Sequence, residues 1–242
     1  MNCLRIGESE QDLQLLLNGC YNALQVGMQD GYQFLEGFAD AAYIDGQGVN
    51  TITEGGGNTQ TGIYETYWVR QYRLISRCNE LISVIDDIGS DNENFKIIEG
   101  QAKFLRGMAY YYLAALYKDR FVSKNSQLEI KDQILNDLDD AVLFLPVNLE
   151  YPRATKGAAL ALKARVHAFF SEWQEVLNLT KEIIDLDKYK LYPDYIALFT
   201  LEAEGSEESI FSVAYETGIG LGESFSGTYP LQPFLNTIRP LP

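Results

Sequence analysis

Apolar residues return every three to four positions along most of this 242-residue chain, and that period predicts helices. From Asp12 to Gln25 the stripe is Leu13, Leu16, Leu17, Cys20, Ala23 and Leu24. It resumes from Tyr64 to Ile88, with Trp68, Tyr72, Ile75, Ile82 and Ile85 on one side. A third run, from about Phe95 to Tyr117, carries Phe104, Met108, Tyr111 and Ala115, widened by Leu105, Tyr112 and Leu116. A stripe this wide meets more than one neighbouring helix. Ile130, Ile134, Leu138, Ala141 and Leu145 mark a fourth helix, stopped by Pro146, which cannot continue the hydrogen-bond ladder.

The stretch Arg153 to Leu177 reads as a helix, a short turn and the start of a partner helix over about Gln174 to Asp187. Thr155 is the N-cap expected for its first helix. Gly157, Ala158, Ala159 and Ala161 keep one side thin for close packing, while Leu162, Val166, Phe169 and Phe170 are expected in the core. Trp173 is expected to cover the helix ends at the turn. The basic residues Arg153, Lys156, Lys163 and Arg165 are expected to balance acidic neighbours such as the run Asn136 to Ala141.

Two regions break the helical period. Asp45-Gly46-Gln47-Gly48 and Gly55-Gly56-Gly57-Asn58 predict a long exposed loop from about Ala41 to Gly62, with Gly46–Gly62 the most mobile internal segment. Loops of that length in compact domains are usually functional or disordered. Later, Glu208 to Glu216 alternates Ile210, Ser212 and Ala214 against Phe211, Val213 and Tyr215, a strand period. From Gly218 onward the chain holds four of its 20 glycines and four of its seven prolines, so no helix is expected there.

The predicted fold is therefore all-α, with irregular tetratricopeptide-like helix pairs and a small β element near 208–216. Residues 1–217 form the helical domain and 218–242 an irregular Gly/Pro-rich tail. The pairing rests on an internal match. Leu105-Arg106-Gly107-x-x-Tyr110-x-Tyr112 aligns with Leu162-Lys163-Ala164-x-x-His167-x-Phe169, each followed by a second amphipathic helix. In tetratricopeptide repeats a small residue on the first helix lets the second approach closely, but the separation here exceeds the regular ~34-residue period.

Charge narrows the function. With 19 Lys and Arg against 34 Asp and Glu, the net charge is −15, which repels polyanions, so no nucleic-acid partner is expected. Sixteen tyrosines suit half-wet packing and binding surfaces, since each ring has a polar tip. Three cysteines without close spacing make neither a disulfide framework nor a zinc site; Cys20 and Cys78 are expected as buried thiols. Only Met1 and Asn2 precede Cys3, so no lipoprotein signal is read before it, and no apolar run reaches the ~20 residues of a membrane span.

Catalytic chemistry finds little support. His167 is the sole histidine and is expected as a partly buried helix residue with one polar partner. The carboxylate pairs Asp86-Asp87, Asp139-Asp140 and Glu207-Glu208 are expected on solvated faces and helix ends, not across a sugar cleft. Asp45 to Glu54 fails the calcium-loop pattern at Gln47 and Val49, and Gly55-Gly56-Gly57 lacks the Lys that completes a phosphate loop. No enzyme activity, no metal and no cofactor are expected.

Four stretches together resemble the SusD/RagB family of cell-surface glycan-binding lipoproteins. They are LLLNGCYNAL (15–24); Trp68, Tyr72, Ile75 and Asn79 in a W-x3-Y-x2-I-x3-N pattern; AKFLRGMAYYYLAALY (102–117); and RATKGAALALKARVHAFFSEW (153–173) with KYKLYPDYIALF and ESIFSVAY after it. The resemblance covers about residues 10 to 216. It implies an outer-membrane, surface-exposed lipoprotein that binds glycan for import through a TonB-dependent SusC-like transporter, with membrane attachment only by a lipid anchor. It places glycan contacts in the segment 34–63, on Asp40, Tyr43, Asp45, Asn50 and Asn58, while Trp68 falls to the core. The chain departs from the family at Lys118-Asp119-Arg120-Phe121, where a Gly-Asp-x-Pro continuation is usual, and the family extends through a C-terminal half beyond the region matched. The alternative is a helical-repeat scaffold that binds a protein or peptide.

Overall fold

The computed structural model describes residues 9–38, 42–44, 62–89, 91–117, 124–200, 203–215 and 238–240. Among them are six α-helices: α1 (Glu10–Phe38), α2 (Gly62–Ile88), α3 (Glu93–Leu116), α4 (Lys124–Phe144), α5 (Lys156–Phe169) and α6 (Trp173–Asp185). A 3-10 turn follows at Ala197–Phe199. The all-α expectation holds. The strand expected near 208–216 does not form over 208–215. Two three-residue strands lie elsewhere. β1 (Ala42–Ile44) and β2 (Ile238–Pro240) pair antiparallel, with Tyr43 opposite Arg239. The segments read as a loop from Ala41 and as an irregular tail thus each contain a short strand.

The segment 208–215 shows why alternation alone misleads. Among the described residues no strand pairs with it, and side chains hold it. Phe211 meets Phe104 edge-on at 4.9 Å between ring centroids, and Ser212 Oγ donates to Tyr151 Oη at 2.9 Å. Gln25 Nε2 donates to the Ala214 carbonyl at 2.7 Å, and Tyr215 Oη donates to the Gln25 carbonyl at 2.8 Å. All of residues 208–215 are half-buried, so the alternation of the sequence corresponds to no alternation of burial, and a period of two does not supply a backbone partner.

The chain divides into two compact units. One comprises residues 1–21 and 75–212, the other 22–74 and 213–242. In the first, α3 packs on α4, α4 on α5 and α5 on α6. Gly107 lets α4 approach, since a Cβ there would stand 3.4 Å from Leu138 Cγ. Ala164 does the same for α6, within a cluster of Leu160 and Leu179 flanked by Val142, Ile183 and Leu186. The aligned small residues therefore do the job the internal match predicted. Leu13, Leu17, Leu81, Phe104, Leu105, Ile134, Leu138 and Leu160 are sealed from solvent; burying each such side chain stabilises by about 1.5–3 kcal/mol.

In the second unit, Arg70 Nη1 donates to the Val26 carbonyl at 2.6 Å and ties α2 to α1. Gln71, only 2 % exposed, lies against Gly27, where a Cβ would come to 3.4 Å from its Nε2.

The buried stripe of α2 contains Ile75, Ile82 and Ile85 as expected, but its first turns are anchored one position earlier than expected, on Tyr67 and Gln71. It runs Tyr67, Gln71, Leu74, Ile75, Cys78, Leu81, Ile82 and Ile85. Trp68 is half-buried, with its ring 5.2 Å from that of Tyr72, which is itself exposed. Each step along a helix turns the side chain by about 100°, so reading Trp68 in place of Tyr67 moved the aromatic anchor to the stripe's edge. Phe169 and Phe170 likewise sit at the margin of the core, edge-on to each other at 5.2 Å. Trp173 opens α6 and is 65 % exposed, so it covers nothing within the described structure.

Candidate functional site

Of the five ligand-binding residues expected, only Tyr43 lies among the described residues. It sits at the centre of β1, in register with Arg239. Asp40, Asp45, Asn50 and Asn58 lie outside them, as does the glycine-rich stretch read as the mobile loop. The structure therefore places the backbone of one candidate on a strand, where the sequence predicted a loop.

The residues that carried the family resemblance turn out to be joints of the frame. Arg106, on α3, grips Asp137 of α4 with two parallel bonds, Nε to Oδ2 at 2.8 Å and Nη2 to Oδ1 at 2.6 Å. Its third nitrogen, Nη1, donates to Asn79 Oδ1 of α2 at 2.8 Å. Gln133 Nε2 adds a donor to Asp137 at 3.1 Å. Asp137 is 2 % exposed, and these donors take the place of water around its carboxylate oxygens. The motif's Arg and Asn are thus one hydrogen-bonded knot across three helices.

Tyr21 forms a second knot. Its hydroxyl donates to Gln101 Oε1 at 2.9 Å and accepts from the Ala154 N–H at 2.9 Å. The Arg153 guanidinium lies 4.6 Å above the ring and reaches Asn18 Oδ1. Burial pushes the phenol up to about 12, against the Ala154 N–H and Arg153, which favour its ionised form. Tyr21 is a fixed donor and no acid–base group at neutral pH. Thr155 caps α5 as expected, accepting from the Ala158 N–H. Its Oγ1 also lies 3.1 Å from Tyr189 Oη.

The groups weighed for catalysis are engaged elsewhere. His167 is 8 % exposed, and its Nδ1 lies 2.7 Å from Glu172 Oε2, the one polar partner expected. Lys131 also binds Glu172, and these two, Lys131 first, hold its carboxyl below the ordinary range. Asp139 pairs with Lys163, and Asp140 with Lys103 at 2.6 Å, which answers part of the expectation that basic residues balance the acidic run. Asp86 and Asp87 are exposed. Glu208 Oε2 accepts from the Tyr192 N–H at 2.7 Å. Among the described residues no cluster of three His, Cys, Asp or Glu could hold a metal ion, and no helix is long and apolar enough to cross a membrane.

Sequence reasoning missed a cleft of about 410 Å³ lined by Lys190, Tyr192, Pro193, Glu204, Ser206 and Glu207. Ser206 Oγ is buried there without a hydrogen-bond partner among the described residues. The Lys190 N–H donates to the Glu207 carbonyl at 3.1 Å and closes one side. Gly205 makes the turn at φ 69°, in the left-handed region that favours glycine. The Tyr-rich run broken by Pro193 was the available signal, but nothing in it pointed to residues 204–207.

This frame of helix pairs matches a known fold. A family model described as SusD-like, starch-binding and associating with the outer membrane, matches residues 9–167. The chain belongs to the SusD-like family. SusD-like protein P2 of Formosa agariphila is 27 % identical over 236 residues, covering 84 % of this chain and 46 % of that protein. A SusD-like protein of Bacteroides fragilis superposes with a TM-score of 0.75 at 24 % identity, over 88 % of this chain and 46 % of the other. A laminarin-binding SusD-like protein superposes with a TM-score of 0.69 at 20 % identity, over 83 % and 50 %. The likeness to these solved structures is one of fold. The SusD-like chain described here spans about half the length of the curated relatives it matches.

Proposed function

We propose that this SusD-like chain is the helical part of a non-catalytic glycan-binding protein at the cell surface. It hands oligosaccharides to a TonB-dependent SusC-like transporter and is held at the outer membrane by a lipid anchor. The observation that carries the reading is the family match over residues 9–167, whose description names starch binding and the outer membrane. The fold it shares with a laminarin-binding protein supports it. Residues 1–217 serve as the helical domain and 218–242 as the tail. Sugar contacts come from Asp40, Tyr43, Asp45, Asn50 and Asn58, with Tyr43 as the one aromatic face. The non-catalytic part is supported by His167, already bound to Glu172, and by carboxylate pairs that are exposed or engaged.

Calorimetry against laminarin and starch oligosaccharides tests the reading. The expected result is weak binding that falls about fivefold, roughly 1 kcal/mol, in Tyr43→Ala. Release of reducing ends by the chain would overturn the non-catalytic part. The second reading, a scaffold for a protein or peptide, is favoured by the outer face of α6, where Trp173, Leu177 and Ile184 are 65 %, 62 % and 74 % exposed. Retained glycan binding by a Trp173→Ser/Leu177→Ser variant would set that face apart from sugar recognition.

A further inference from the structure

Cys20 on α1 and Cys78 on α2 are both 0 % exposed, and their side chains hydrogen-bond to one another. The residue just before each fixes the meeting. Arg77 Nη1 donates to the Gly19 carbonyl at 2.6 Å, so the helices are held in register one position upstream of both thiols. At Gly19 a Cβ would stand 3.7 Å from Arg77 Nη1, an ordinary van der Waals contact that shows how closely the arginine lies against α1. Neither sulfur serves the glycan-binding role. Closing a bond requires the sulfurs to move from hydrogen-bonding contact to about 2.05 Å, with the helices already side by side.

We propose that Cys20 and Cys78 are joined by a disulfide in the exported protein, tying α1 to α2. The inference rests on the surface location proposed above, because such bonds form and persist in oxidising compartments. The oxidant is a protein disulfide of the thiol-oxidase class. The Cys20 thiolate attacks one sulfur of that disulfide, and the oxidant's other sulfur leaves as a thiolate and takes a proton. The Cys78 thiolate then attacks the Cys20 sulfur, and the oxidant's remaining sulfur leaves. The chain gives up two electrons and two protons, and the oxidant ends as a dithiol. Cys20 is the first attacker, because its hydrogen bond from Cys78 lowers its thiol against the pull of burial, and Arg77 adds to the lowering. The complete burial of both sulfurs means that exchange occurs while the helices dock. Afterwards it keeps reductants out.

The test is to refold the full chain in a reduced and oxidised glutathione buffer, block thiols in denaturant without reductant, and map the peptides. The expected result is one free thiol per chain, at Cys3, and a linked pair of peptides carrying Cys20 and Cys78. That form is lighter by two hydrogens, and its thermal midpoint falls by several degrees on reduction in mild denaturant. Cys3→Ser should keep the linked peptides, the two-hydrogen mass difference and the thermal shift while leaving no free thiol, and Cys20→Ser should abolish the linked peptides. Three free thiols, or a bond that uses Cys3, would overturn the proposal without any need for the cysteine variants to fold. The refolding arm needs no cell, so it reads the thiol pair independently of the surface location, which outer-membrane fractionation reads separately.

Discussion

The α3–α4 and α5–α6 pairs carry the same spacing of small and large residues and are held together by different physics. Between α3 and α4 Leu138 fills the approach allowed by Gly107, and beside it lies a buried ion pair, Arg106 with Asp137, whose hydrogen bonds are satisfied from three helices. Between α5 and α6 the contact is apolar, Leu160 and Ala164 against Leu179. The polar partner of α5 there, Lys163, reaches back to Asp139 on α4 and not forward to α6. The first pair is specified by charge and geometry, the second by volume. An apolar interface tolerates alternatives of similar size, whereas a desolvated carboxylate has only one arrangement that satisfies it.

The largest effect should come from breaking the charged joint. Arg106→Ala leaves Asp137 buried and under-satisfied, at a cost of about 3–5 kcal/mol in urea unfolding. Arg106→Met with Asp137→Leu should recover most of it, since an apolar pair of similar volume leaves no orphaned charge. A loss below about 1 kcal/mol in the single variant would erase the distinction between the pairs.

Next in size is the apolar joint. Leu179→Ala removes the residue that α6 inserts against Ala164 and should cost about 2–4 kcal/mol. Trp173→Ala on the same helix should cost under about 0.5 kcal/mol, because its ring is largely in water. Equal costs for the two would mean that α6 is held by its outer face. A smaller step, about 1 kcal/mol, is expected for Thr155→Ala, which frees the first turn of α5 from its cap and loses the contact with Tyr189. Thermal unfolding of Thr155→Ser, which keeps the oxygen, should stay near the parent.

These joints explain what the sequence made legible. Helix positions followed from apolar spacing, because burial acts on whole stripes. The Thr155 cap followed from one side chain and its local geometry. The roles of Gly107 and Ala164 followed from comparing two segments. The ion pair did not: Arg106 and Asp137 are 31 positions apart, and only the packing of α3 on α4 brings them together. On α2 the later positions Ile75, Ile82 and Ile85 were legible, but the first anchor was misplaced because Tyr67 and Trp68 are adjacent aromatics and either could begin a stripe. The strand near 208–216 was misread because alternating residue types supply no pairing partner, and residues 208–215 are uniformly half-buried. Of the glycan-contact residues, composition and resemblance named five, and the fold adds only that Tyr43 stands on a strand opposite Arg239.

The smallest effect sharpens the comparison at the turn between α5 and α6, where the apolar pair has a second charged link to α4 besides Lys163 with Asp139. Glu172 accepts from Lys131 and lies 2.7 Å from His167 Nδ1, and with Lys131 as the leading cause its carboxyl is held below the ordinary 4.5. A carboxyl whose folded value is depressed binds protons more readily in the unfolded chain. Its contribution is therefore complete above about pH 4.5 and is lost as pH falls through the lower folded value. Glu172→Gln keeps an oxygen for Lys131 but no charge, so its melting temperature should fall less steeply with acid than the parent's. The two should differ most near neutrality and converge as the pH drops. Other carboxylates titrate over the same range, so the informative quantity is the difference between the two curves. The side chain is 39 % exposed and water screens it, so the separation should be small and should shrink further in high salt. Parallel curves from neutrality to the acid limit would show that this link between the pairs carries no charge-dependent stability, and that α6 is held by volume alone.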